Sequence, residues 1–132
     1  MDTKETGFLG EKIALNYLKR KGYKILDKNY FFRISGSPQK GEIDIIAKKG
    51  DVISFFEVKT LIKTFRNQPF DFLPEDKVNF SKRRKIIKAA ESWLIRKKIP
   101  LNSKWQIDVI SIEIFPNKKL KISHFENAIS NN

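Results

Sequence analysis

Residues 41–60 read GEIDIIAKKGDVISFFEVKT. Ile43–Ala47 and Val52–Val58 are apolar runs, and Lys48-Lys49-Gly50-Asp51 between them carries the turn signal of a β-hairpin. With Lys49-Gly50 at the turn centre, Ile46 faces Ile53, Asp44 faces Phe55 and Glu42 faces Glu57. Side chains alternate with period two. One face then carries Glu42, Asp44, Ile46, Ile53, Phe55, Glu57 and Lys59. The other carries Ile43, Ile45, Ala47, Val52, Ser54, Phe56 and Val58. Both faces are largely apolar, as in central strands covered on two sides. The charges that interrupt them therefore need a reason. Asp44 and Glu57 become diagonal neighbours roughly 7 Å apart at the backbone. Carboxylates that close repel unless a cation or proton lies between them, and oxygen donors at this spacing suit a hard ion such as Mg²⁺. Lys59 leans to the same side, where it could orient a water or offset charge building on a phosphate.

Asp44, a spacer and then Glu57-Val58-Lys59 resemble the D…ExK signature of the PD-(D/E)XK nuclease superfamily. GEIDIIA followed by FFEVKT is similar to the YraN-like family, a nuclease-like bacterial family related to archaeal Holliday-junction resolvases. GEKIALNYLKRKGYKIL resembles its opening helix and KRRKIIKAAESWL its later helix. WQIDVISIE and ISHFENAI resemble its closing strand and tail. D…ExK alone is a short string; the combination in this order is far more specific and covers nearly the whole chain. An extra stretch at Ile34–Lys40 and a divergent one at Leu61–Asn79 depart from the pattern. The resemblance implies an α/β fold with a restriction-endonuclease-like core, a mixed β-sheet flanked by helices. It implies a Mg²⁺-dependent endonuclease hydrolysing DNA, with Mn²⁺ as a substitute and branched DNA as substrate. Asp44 and Glu57 would bind the metal, the Val58 carbonyl would add a ligand, and Lys59 would be catalytic. A junction enzyme would need two sites, hence a homodimer, which the sequence does not show.

The totals agree with a polyanionic partner. Lys and Arg number 27 against 15 acids, a net charge of +12, which favours nucleic acid first and an acidic membrane surface second. The 132 residues fit a single domain with a real core, residues 1–132. No apolar run approaches the ~20 residues of a membrane span. The first residues, MDTKETGFLGEK, lack the apolar stretch of a signal peptide. There is no cysteine and one histidine, so any metal is held mainly by oxygen, and a cytoplasmic location is expected.

In chain order, Gly7–Lys21 is expected to be a helix with Ala14, Leu15 and Leu18 as its stripe, stopped by Gly22. Glu11 falls within that stripe. Periodicity alone leaves two readings open: an acid of the metal site, or a glutamate near the helix start that bends out to water. The family resemblance favours the first. Tyr23–Arg33 is a strand beside Ile43–Ala47. Leu61–Asn79 mixes Phe65, Phe70 and Phe72 with Lys63, Arg66 and Asn67, fitting a lid, a DNA-contacting arm or a dimer contact. Its rings could stack on bases or, more often for such rings, bury themselves under the loop. Phe80–Lys98 is a helix, N-capped by Ser81, with Phe80, Ile87, Ala90 and Leu94 as its stripe. Lys82, Lys85 and Lys88 are placed on its outer face with Arg83 and Arg84 at the edges. Cations at a helix start oppose its dipole, which favours a phosphate-binding role. Trp105–Phe115 and Lys119–Phe125 form a closing hairpin. Asp108 is read as structural and His124 as a surface or packing histidine. The competing reading is a non-catalytic protein that binds DNA or RNA through the same basic surface.

Overall fold

The computed structural model describes residues 2–33, 40–63 and 80–129, without the side chains of Phe80 and Ser81. The loops expected at Ile34–Lys40 and Leu61–Asn79 lie largely outside these residues, as does the cap assigned to the Ser81 side chain. Helix α1 spans Thr3–Arg20. It starts earlier than the apolar stripe suggests because the Asp2 side chain caps it, accepting the Glu5 N–H at 2.8 Å. Gly22, at φ 93, turns the chain out of the helix. Strands β1 (Lys24–Arg33), β2 (Lys40–Lys49) and β3 (Val52–Ile62) follow. Helix α2 (Phe80–Arg96) leads to β4 (Trp105–Ile114) and β5 (Leu120–Ile129).

The five strands lie in sequence order, antiparallel except for the parallel β3–β4 pair, whose crossover contains α2. This is the expected mixed α/β sheet flanked by helices, consistent with a restriction-endonuclease-like core. Two apolar layers hold the helices on opposite faces. Ile86, Ala89, Ala90, Trp93 and Leu94 of α2 pack with Ile46, Ile53, Phe55 and Ile107. Ala14 and Leu18 of α1 pack with Ile45, Ala47, Phe56, Ile110 and Ile112. The Phe55 ring meets Trp93 and Trp105 edge-on, both at 5.7 Å between centroids. Among the described residues no helix is long and apolar enough to cross a membrane.

Two details of the central hairpin differ from expectation. Lys49 pairs with Val52, so the turn centre is Gly50-Asp51 rather than Lys49-Gly50. Gly50, at φ 62, takes the first central position, where a two-residue turn needs the left-handed conformation. The register therefore moves by two, and Ile46 faces Phe55 rather than Ile53. Alternation also slips at Asp44. Ile43 joins the α2-side core, whereas Ile45 joins the α1-side core. The slip lies beside Asn29 of β1, which has φ 51 between the pairs Lys28–Ile45 and Tyr30–Ile43.

Candidate functional site

The slip at Asp44 decides where its carboxylate goes. The β2–β3 pairing ends at Ile45 and Phe56. Beyond it, Asp44 Oδ2 accepts the Val58 N–H at 2.7 Å, so a side chain takes the place of a backbone partner. The N–H and C=O of a strand residue point to the same neighbouring strand, so the Val58 carbonyl faces this gap as well.

Both helices close on the gap through glycines. A Cβ at Gly10 would overlap the Thr60 side chain, so α1 rides directly on β3 and brings Glu11 to the sheet. A Cβ at Gly41 would overlap the Lys85 carbonyl, so α2 rides equally close on β2. Glu11, Glu42, Asp44, Val58 and Lys59 line a cleft of ≈ 590 Å³ on the α1 side. Lys40, Glu42, Asp44, Glu57, Lys82 and Lys85 line a second of ≈ 400 Å³ on the α2 side. Asp44 borders both clefts, with Glu11 reaching it from one side and Glu57 from the other. Among the described residues the carboxylate oxygens of Asp108 and Glu126 and a ring nitrogen of His124 all lie within 4.8 Å of one another; Glu11, Asp44 and Glu57 are not gathered that tightly.

The acids at the gap disfavour one another's charge. Asp44 is pushed up to about 7 by burial and by Glu57, with Glu11 and Glu42 adding, while the Val58 N–H pulls the other way. Burial and Glu42 raise Glu11, against the pull of Lys28. Burial, then Lys82, lowers Lys59, against Glu57. Glu57 is buried, and its Oε1 receives Lys59 Nζ at 3.0 Å and Lys82 Nζ at 2.9 Å.

Lys82 and Lys85 therefore do not sit on the outer face of α2 with Lys88. They are half-buried and line the cleft, while Arg83, Arg84 and Lys88 are exposed. The buried stripe is centred on Ile86, Ala89, Ala90 and Trp93 rather than on Ile87. Long aliphatic stems let lysines line an apolar wall while their ammonium groups reach an acid, and a hydrophobic count does not register this.

Sequence reasoning missed a second polar cluster. Asp108 is fully buried, and its Oδ1 accepts from Gln106 Nε2 at 2.9 Å and from the Asn127 N–H at 2.8 Å. Its Oδ2 lies 2.8 Å from His124 Nε2. The His124 ring is packed among Tyr17, Tyr23 and Phe56. The available signal was an acid inside an apolar strand with one histidine on the partner strand. A β-bulge between the Ile107 and Val109 pairs hides their proximity from simple pairing.

The profile of the uncharacterised protein family UPF0102 matches residues 10–112, the span from Gly10 through most of β4. A UPF0102 protein of Alkaliphilus oremlandii is 40% identical over 127 residues, covering 95% of this chain and 97% of its own. One from Clostridioides difficile is 42% identical over 128 residues, covering 97% and 99%. One from Dictyoglomus thermophilum is 38% identical over 130 residues, covering 98% of each.

Proposed function

The chain belongs to the uncharacterised protein family UPF0102, the YraN-like family its sequence resembles, and from its acidic cleft we propose a metal-dependent DNA endonuclease of the PD-(D/E)XK superfamily. The observation that carries this reading is Asp44, held by the Val58 N–H yet pushed up to about 7 by burial and Glu57. A buried acid so unfavourably placed gains from a nearby cation. With no cysteine and one histidine in the chain, the donors gathered there are oxygens, which fit Mg²⁺, with Mn²⁺ as substitute.

Asp44 and Glu57 would hold the ion, with the Val58 carbonyl as a further ligand and Glu11 binding directly or through water. Once bound, the ion would polarise the phosphate and lower the pKa of a water. Lys59, whose ammonium is destabilised by burial, would orient that water and offset charge on the phosphate in the transition state. Arg83, Arg84 and Lys88 would hold flanking phosphates, so binding should weaken steeply with salt. The family resemblance favours branched DNA; cutting both strands of a junction would take two sites, hence a homodimer.

One observation favours a second reading, a non-catalytic protein binding DNA or RNA. Glu57 already has two ammonium groups on one oxygen, so part of the acid cluster is neutralised without a divalent ion. Labelled branched and linear DNA, incubated with Mg²⁺, Mn²⁺ or EDTA, separates the two. The nuclease reading expects metal-dependent cutting that falls to background in Asp44→Ala. Binding without cutting, undiminished in that variant, selects the second reading.

A further inference from the structure

We propose that Lys82 is a displaceable counter-ion, holding Glu57 while no divalent cation is bound and passing to a substrate phosphate once one is. The inference rests on the reading of the cleft as a metal site. Its starting point is the crowding of two ammonium groups on Glu57 Oε1. An ionised carboxylate offers about four acceptor positions on two oxygens, so two cations sharing one oxygen leave the other open to a third.

The two lysines differ in how they are tethered. Lys59 is on the same strand as Glu57, two residues along, and less exposed: 24% of its side chain against 39% for Lys82. Lys82 comes from α2, on a flexible four-carbon stem. A divalent ion at Glu57 would repel both ammonium groups, and the more exposed one, on a separate element, has the easier exit. Its destination is set by its surroundings. Lys40 and Lys85 line the same ≈ 400 Å³ cleft, so a displaced Lys82 ammonium joins two others beside the acids. That group suits a phosphate, whose charge would balance the incoming metal. Metal and nucleic acid would then bind with positive coupling, each improving the site for the other.

Calorimetric titration of Mn²⁺ into wild type, Lys82→Met and Lys82→Arg tests the first half. Removing the competitor should tighten Mn²⁺ binding about two- to fivefold, the range of a part-exposed ion pair, and arginine should restore wild-type affinity. Salt titration of DNA binding, by anisotropy on uncleavable phosphorothioate DNA, tests the second. The logarithmic salt slope should fall by about one in Lys82→Met with Mn²⁺ present and stay unchanged in EDTA. Lys82→Gln serves if the methionine variant does not fold by circular dichroism. Unchanged or weaker Mn²⁺ binding in a folded variant overturns the counter-ion role and leaves the metal reading intact. A salt slope altered equally with and without Mn²⁺ overturns the transfer to phosphate. Wild type that binds no Mn²⁺ overturns the metal reading and this inference together.

Discussion

Asp108 and Asp44 are acids of one sheet with opposite surroundings. Both oxygens of Asp108 are taken up by Gln106, Asn127 and His124, and the side chain is sealed from solvent. Asp44 has the Val58 N–H on one oxygen, two open clefts beside it and Glu11, Glu42 and Glu57 as neighbours. The first acid is completed by the protein's own donors and so organises the β4–β5 hairpin. The second is left short of positive charge, a cost that the proposed metal ion would relieve. Burial alone does not separate these two acids; the supply of donors does.

The largest expected effect breaks the comparison at its structural end. Asp108→Ala leaves the Asn127 N–H and the Gln106 amide without their acceptor and His124 without its partner. Stranding buried polar groups in this way costs about 3 kcal/mol. Urea unfolding should show that loss, while Asp44→Ala, which strands only the Val58 N–H and removes a charge the fold penalises, should show a clearly smaller one. Equal destabilisation by the two substitutions would remove the distinction between the acids.

A pH series sharpens the same contrast at Asp44. Its folded-state value, about 7, lies above the ordinary 3.8, so the fold penalises the ionised form. The penalty is absent below about pH 4, grows as pH rises and is complete above about 7. Asn at this position still accepts the Val58 N–H but carries no charge. Asp44→Asn should therefore melt on the order of 5 °C above wild type at pH 8, with the gap closed at pH 4. Mn²⁺ should raise the wild-type melting temperature at pH 8 and much less at pH 5, where a proton already occupies the acid. A gap that persists at pH 4 would mean that the asparagine acts through packing rather than charge.

The hairpin and its acids were legible in the sequence because Gly50 and two apolar runs specify local geometry. Its register was not, because Lys48-Lys49-Gly50-Asp51 admits two turn centres, both compatible with a left-handed Gly50, and only the Lys49–Val52 pairing selects one. The face of Asp44 was hidden for a different reason. Alternation on β2 is reset beside Asn29, a residue of another strand, so no pattern within Gly41–Thr60 records it. The same holds for Asp108 and His124, whose meeting depends on a bulge between β4 and β5. Local chemistry predicted the elements; what one strand does to its neighbour required coordinates.

The smallest effects belong to the exposed side of α2, away from both acids. Arg84 and Lys88 are solvent-exposed, whereas Lys82 lies 2.9 Å from Glu57. Substitutions at such positions usually change stability by less than about 0.5 kcal/mol. If these side chains meet phosphates, Arg84→Ala and Lys88→Ala should each lower the logarithmic salt slope of DNA binding by about one. The loss should be uniform across DNA sequences, because phosphate contacts carry no base information. It should also be the same in Mn²⁺ and in EDTA, since neither side chain lines the clefts around Asp44. A metal-dependent loss at Lys88 would extend the acid site's influence across the helix to its far face. A metal-independent one confines the coupling between cation and phosphate to the lysines that line the cleft.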